Sequence, residues 1–257
     1  MPDPVGRIAE NVARIRDRIA GAAKRSGRTA HDITLVAVTK YVSPDIVRQL
    51  VEAGCVDLGE SRPQPFWEKA AALADLPIRW HMIGHLQRNK IRRTLPLTTM
   101  IHSVDSPRLL AAINEEWGAR AGEPTSGGLS QFSLDENGTV PLHGPLPILL
   151  EVNISGESAK HGFQPGEVEP FLVELPSRRN VSVCGLMCMA SFEGGPGVAR
   201  REFAALRQLR DRLHPRCPSG VKLDQLSMGM SGDFEVAIEE GATIVRIGSA
   251  LFEGVNE

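Results

Sequence analysis

Apolar residues at Val5, Ile8, Val12, Ile15 and Ile19 recur at spacings of three and four, with arginines and acids between them. That period predicts an amphipathic helix at the start of the chain. Gly27 ends the pattern, and strand-like and helix-like stretches then alternate to the C-terminus. Strands are expected at 34–40, 56–60, 78–84, 98–104, 147–154, 181–189, 222–228 and 243–248. Helical patterns fill the gaps. Two of them open on a hydroxyl followed by proline, Ser43-Pro44-Asp45 and Ser106-Pro107, where the hydroxyl takes orphan amides and the proline suits the first turn. Alternation of this kind needs right-handed crossovers between parallel strands. Eight such units within roughly 220 residues predict an α/β fold, a single (β/α)8 barrel of the TIM type with an extra N-terminal helix, in preference to an open doubly wound sheet.

One stretch breaks the alternation. Residues 121–146 are rich in Gly, Pro and Ser and keep no period, so they read as a flexible insertion in one domain spanning 1–257, with a short hairpin around Asn137-Gly138. Its place before the fifth strand puts it on the face opposite the expected site.

The chain has 257 residues, 42% hydrophobic and 23% charged, enough apolar material for a large core. A net charge of −2 gives no electrostatic reason to expect nucleic acid or an anionic membrane as partner, which leaves small ligands. The polar start Met1-Pro2-Asp3-Pro4 has no signal-peptide core, and no run approaches the roughly 18 to 20 apolar residues of a membrane span, so a cytoplasmic location is expected. Cys55, Cys184, Cys188 and Cys217 form no CxxC pair, which argues against a zinc site or a disulfide framework. Cys184 and Cys188 are expected on one strand face as core packing.

Candidate chemistry gathers at the expected strand ends. Lys40 stands where the run Thr34-Leu35-Val36-Ala37-Val38-Thr39 meets the helix start Ser43-Pro44. In (β/α)8 barrels reacting groups cluster there, and an amine held in apolar surroundings attacks carbonyls more readily, as a Schiff-base lysine does. The plainer reading is a lysine snorkelling from a strand end into water. Strand periodicity puts Arg246 and Gly248 on one face of the last strand, followed by Ser249. The loop Ser227-Met228-Gly229-Met230-Ser231-Gly232-Asp233 has similar chemistry. Phosphate sites in these barrels are built from the loops after strands seven and eight, where glycine bares backbone amides, although the same glycines also suit tight turns. With Lys40, they point to a phosphorylated carbonyl compound. His81 and His85 have metal-pair spacing only on a helix. On a strand-to-loop segment with no acid or thiol nearby in sequence they are expected to bind no metal, His85 being a turn residue. Met187, Met189, Met228 and Met230 could line a ring or fill the core.

Four motifs occur in order: Val36-Ala37-Val38-Thr39-Lys40, Trp80-His81-Met82-Ile83-Gly84-His85-Leu86-Gln87-Arg88-Asn89-Lys90, Leu226-Ser227-Met228-Gly229-Met230-Ser231 and Val245-Arg246-Ile247-Gly248-Ser249. With Val152-Asn153-Ile154-Ser155 and Gly185-Leu186-Met187-Cys188-Met189, they closely resemble the pyridoxal-phosphate homeostasis protein family, from the first helix to Phe252. The resemblance implies a single-domain relative of the alanine racemase barrel that binds pyridoxal 5'-phosphate (PLP) covalently without an established reaction. It further implies Lys40 as the aldimine lysine, Ser231, Gly248 and Ser249 around the phosphate, Arg246 at the pyridine nitrogen and His81 in the cofactor pocket. Where that family carries Gly-Glu-Asn, this chain reads Gly59-Glu60-Ser61-Arg62-Pro63-Gln64-Pro65. Serine reaches less far than asparagine, so a ring contact from position 61 is in question and affinity is expected to differ from that of relatives.

A permanent guanidinium at the pyridine nitrogen disfavours the pyridinium on which α-carbon chemistry depends. The first expectation is therefore a non-catalytic carrier that holds PLP and passes it to PLP-dependent apoenzymes, as a monomer or weak homodimer. The alternative is an amino-acid racemase, which needs acid/base groups on both faces of the α-carbon. Racemases draw the second from a tyrosine of an additional domain, whereas this chain ends with its barrel and holds only Tyr41. A Schiff-base aldolase without PLP ranks third.

Overall fold

Eight short parallel strands hydrogen-bond in chain order, and the last returns to the first to close a barrel. The computed structural model describes residues 4–120, 144–157, 160–175, 179–191, 194–218 and 221–255. The strands are β1 (Thr34–Val38), β2 (Asp57–Glu60), β3 (Arg79–Met82), β4 (Met100–Val104), β5 (Leu146–Glu151), β6 (Val181–Met187), β7 (Gln225–Ser227) and β8 (Ile244–Ile247). The helices are α1 (Pro4–Arg25), α2 (Pro44–Glu52), α3 (Pro63–Ala72), α4 (Ile91–Thr94), α5 (Pro107–Ala119), α6 (Pro165–Glu174), α7 (Gly195–Leu213) and α8 (Phe234–Glu239). The Ser106 hydroxyl accepts from the Leu109 amide, a cap of the kind its sequence context suggests, whereas Ser43 precedes α2 without such a bond. Pro63 and Pro65, the two prolines beyond Ser61, fall in the first turn of α3, where their missing amides cost nothing.

Most strands end one to three residues earlier than the apolar runs suggest, because the chain turns out of the sheet at the mouth. Lys40 is therefore not a strand residue. Thr39 still donates its amide to Gly59, but its carbonyl accepts from Val42, closing a turn over Lys40.

Helix α1 buries Ile8, Val12, Ile15 and Ile19 in the layer between strands and helices, packing against α2 and α8. Each such side chain contributes about 1.5–3 kcal/mol of gross burial. Asn11, also buried, donates to the carbonyls of Leu251 at 3.1 Å and Glu253 at 3.0 Å, tying α1 to the turn after β8. Gly27, at φ 71°, takes the left-handed turn that ends the helix.

Alternation along the strands splits the core. Ala37, Leu58, Trp80, Ile148, Val183, Leu226 and Val245 belong to the outer layer under the helices. Val36, Leu149, Met187 and Ile244 form a separate inner cluster, with Ile83, Met100 and Cys184 packed against it. The β5–β6 register shifts between Ile148 and Leu149. This shift corrects the expectation for the two cysteines: Cys184 faces the inner cluster and Cys188 the outer layer, so they do not share a face.

Of the expected insertion, residues 121–143, with the hairpin at Asn137-Gly138, lie outside the described residues, and Leu146 already belongs to β5. No helix among the described residues is long and apolar enough to cross a membrane.

Candidate functional site

A cavity of about 890 Å³ opens at the C-terminal ends of the strands, and Lys40, Ser231, Arg246, Gly248 and Ser249 all line it. His81 does not. Residues from seven of the eight strand ends or the loops after them meet here, which explains why no single stretch of sequence displays the site.

Lys40 is exposed, its Nζ 4.9 Å from the centre of the Tyr41 ring, so the apolar enclosure expected around it is absent. What fixes its position lies underneath. Lys69, reaching in from α3, donates to the Thr39 carbonyl and to Glu60 Oε1 at 2.6 Å, and the Thr39 hydroxyl donates to the same carboxylate oxygen at 2.8 Å. Glu60 and Thr39 are completely buried and Lys69 is 7% exposed, so the turn bearing Lys40 rests on a buried ion pair. On the neighbouring strand end, a Cβ on Gly84 would stand 2.7 Å from Ser61 Cα, so glycine lets the β2 and β3 loops close together. Ser61 also lines the cavity.

Across the mouth, the amides of Gly248 and Ala250 both donate to Ser231 Oγ, at 3.3 and 3.4 Å. Two backbone donors and a hydroxyl thus converge in one corner, with no carboxylate hydrogen-bonded among them, which is the donor set an anion requires. The glycines of this region differ in role. Gly229 has φ 94°, and a Cβ there would meet Ala237 Cβ at 2.5 Å, so it serves the turn onto α8. Gly248 carries no positive φ, and its amide faces the donor corner.

Arg246 is 4% exposed. Its Nη2 donates to the Cys188 carbonyl at 2.9 Å and its Nη1 to Ser227 Oγ at 2.6 Å. Ser227 lies 2.9 Å from His102 Nδ1, His102 Nε2 lies 2.9 Å from His81 Nδ1, and His81 Nε2 lies 3.1 Å from Asp57 Oδ1, which Arg79 also holds at 2.7 Å. One set of donors satisfies every link: guanidinium to hydroxyl, hydroxyl to His102, His102 to His81, His81 to carboxylate. Burial drives the Asp57 carboxyl upward, but hydrogen bonds from His81 and Arg79 outweigh it and hold the group at about 2. Burial, aided by His81 and Arg246, keeps His102 well below the ordinary histidine value, hence neutral as the chain requires. Burial also draws the Arg246 guanidinium downward, although arginine keeps its charge throughout. His81 is therefore a member of a polar file inside the barrel and does not line the cavity. His102 escaped sequence reasoning, and Ser227 was read only as part of the loop after β7. Their signal was available, as polar residues on the inner period-two positions of β4 and β7.

Of the rim opposite Ser231, sequence named only His85, as a turn residue; Glu151, Asp105 and His161 were not singled out. Glu151 ends β5 facing the cavity, its carboxyl raised to about 7 by burial and by Asp105, against the pull of Arg246 and His85. His85 Nδ1 lies 2.9 Å from Asp105 Oδ2, and the His85 and His161 rings stack at 4.4 Å. A glutamate closing an otherwise apolar strand was the readable sign.

The family model for the alanine racemase N-terminal domain matches residues 5–255. The pyridoxal phosphate homeostasis protein of Aquifex aeolicus is 39% identical over 246 residues, covering 95% of this chain and 96% of that protein. The chain belongs to the pyridoxal phosphate homeostasis protein family. The Pseudomonas aeruginosa member is 37% identical over 95% of this chain and 94% of its own length. The structure of PipY from Synechococcus elongatus, a protein solved with PLP bound, superposes with a TM-score of 0.76 at 29% identity, covering 95% of this chain and 99% of that one. The shared barrel extends over the whole framework that carries the cavity.

Proposed function

We propose that this chain binds PLP in the mouth cavity through Lys40 and serves as a cytoplasmic carrier that releases it to PLP-dependent apoenzymes. The observation carrying this reading is that an exposed amine and a carboxylate-free donor corner line one cavity, with a buried guanidinium in the same wall. The residues present fit the group. Gly248, Ala250 and Ser231 supply donors for a phosphate, Lys40 supplies the amine, and about 890 Å³ lies within the usual range for cofactor sites. Bound PLP supplies an aldehyde that condenses reversibly with an amine and a ring that withdraws electrons.

The carrier reading rests on Arg246. PLP catalysts set either a carboxylate or an arginine at the ring nitrogen; a guanidinium there would be a donor, would leave the nitrogen unprotonated and would weaken the electron sink. Ser227 and Cys188 orient that donor. One observation favours a racemase: Glu151, near pH 7 in proton affinity, could exchange a proton with a ligand in the cavity.

Adding PLP to the purified protein is expected to produce the visible absorption of a lysine-linked cofactor, lost in Lys40→Ala with the far-ultraviolet dichroism unchanged. An undiminished band in that variant refutes Lys40 as the attachment point. Incubating the loaded protein with single-enantiomer amino acids in deuterated water separates the two readings, since efficient exchange at the α-carbon would overturn the carrier.

A further inference from the structure

We propose that His85, Asp105 and His161 form a binding site for one zinc-class divalent ion on the cavity rim. The three residues follow β3, β4 and β5, so neighbouring strand ends bring them together from distant points in the sequence. One ligand atom from each lies within 4.8 Å of the others. The pair His85 Nδ1 and Asp105 Oδ2, 2.9 Å apart, already has nearly the spacing of two ligands on one ion, since bonds of about 2.1 Å set neighbouring ligands roughly 3 to 3.5 Å apart. His161 offers its ligand atom within 4.8 Å of both, so it needs at most a small approach to join them. Its side chain is exposed and stacks on His85 with 18° between the ring planes, so a small swing of the loop after β5 suffices.

Charge supports the assignment. The Asp105 side chain is only 9% exposed, and among the described residues its ion-pair partner is the His85 imidazole, not a lysine or arginine. Lys160, which precedes His161, is engaged by Glu157 at 2.8 Å and by the Ser155 hydroxyl at 3.1 Å. A nearly buried carboxylate therefore faces two imidazoles without a permanent cation. Two imidazoles and one carboxylate select a transition ion over magnesium or calcium, which prefer all-oxygen shells. Three protein ligands leave a coordination position open, and His85 and His161 both line the cavity, so that position faces whatever enters it. A carboxylate or phosphate oxygen is the chemical class it would take.

His81, the histidine near His85 in sequence, takes no part, because its ring turns into the barrel toward Asp57 and His102. The partners that matter come from other strand ends.

The test uses chelator-treated, PLP-free protein titrated with Co²⁺ and then with Zn²⁺. The expected result is saturation at one equivalent with ligand-field bands in the visible, displaced by Zn²⁺. His161→Ala and Asp105→Asn should each weaken binding at least tenfold, while His214→Ala, which removes a surface histidine paired with Asp224, leaves it unchanged. Three outcomes overturn the proposal: no saturable binding, equal affinity in His161→Ala, or a sulfur-to-cobalt charge-transfer band that assigns the ion to a cysteine. His161 is exposed, so its variant folds whatever becomes of Asp105→Asn. Because the titration needs no PLP, its failure would leave the cofactor reading intact, and failure of that reading would leave the titration interpretable.

Discussion

Replacing Lys69 by methionine should cost about 3–5 kcal/mol, the usual penalty for removing one partner of a buried ion pair. Methionine fills nearly the same volume, so little of the loss would come from a cavity. The cost arises at Glu60. Its carboxylate is completely buried, Oε2 is buried without a partner, and Oε1 is held by Lys69 and the Thr39 hydroxyl alone. Without the ammonium, one hydroxyl must support a charge removed from water. In a domain stable by about 5–15 kcal/mol, the loss is a large fraction of the whole. The assay is urea denaturation with PLP-free protein, read as a lower midpoint at unchanged slope. The double variant Lys69→Met with Glu60→Met removes both charges and should regain at least half of the loss. Thr39 also loses a donor to its carbonyl, so the single variant should capture PLP at Lys40 more slowly. A loss below about 1 kcal/mol, or a double variant no more stable than the single, would show that the pair does not support this turn.

Ser227→Ala strips Arg246 Nη1 and His102 Nδ1 of their shared partner, and two buried groups left unsatisfied predict a loss of about 2–4 kcal/mol in the same assay. A loss under about 0.5 kcal/mol would mean that the polar file is not formed. Glu151 concerns pH: its folded value of about 7 lies above the ordinary 4.5, so the native state holds a proton that the unfolded chain has released. Stability should therefore fall by roughly 3 kcal/mol as pH rises from 4.5 to about 7 and then level off, measured on metal-free, PLP-free protein. Glu151→Gln should abolish that slope, and a slope unchanged in the variant would place the proton elsewhere.

Local pattern was enough for the framework. The three-and-four spacing of α1, the apolar runs of the strands and the proline-opened helices each depend on neighbours a few residues away, and the closed barrel follows once eight such units repeat. The glycine and serine turns after β7 and β8 were equally readable, because a phosphate corner needs small residues next to one another in the chain. The strand ends were less so: Lys40 is set by a turn whose anchor, Lys69, lies on α3.

His81 shows where sequence stops being sufficient. Histidine after a strand start fits a pocket, a turn or an interior, and only its partners Asp57 and His102, each more than twenty positions away, decide for the interior. The face of Cys184 turns on a register shift between β5 and β6, a property of two strands together. The rim of His85, Asp105, His161 and Glu151 exists only because β3, β4 and β5 stand side by side in the closed sheet. Sequence by itself determined the periodicities and turn chemistry, which act through covalent neighbours. Tertiary structure decided which buried charges and imidazoles meet, because desolvation and hydrogen bonding act through space over a few ångströms, whatever the separation along the chain.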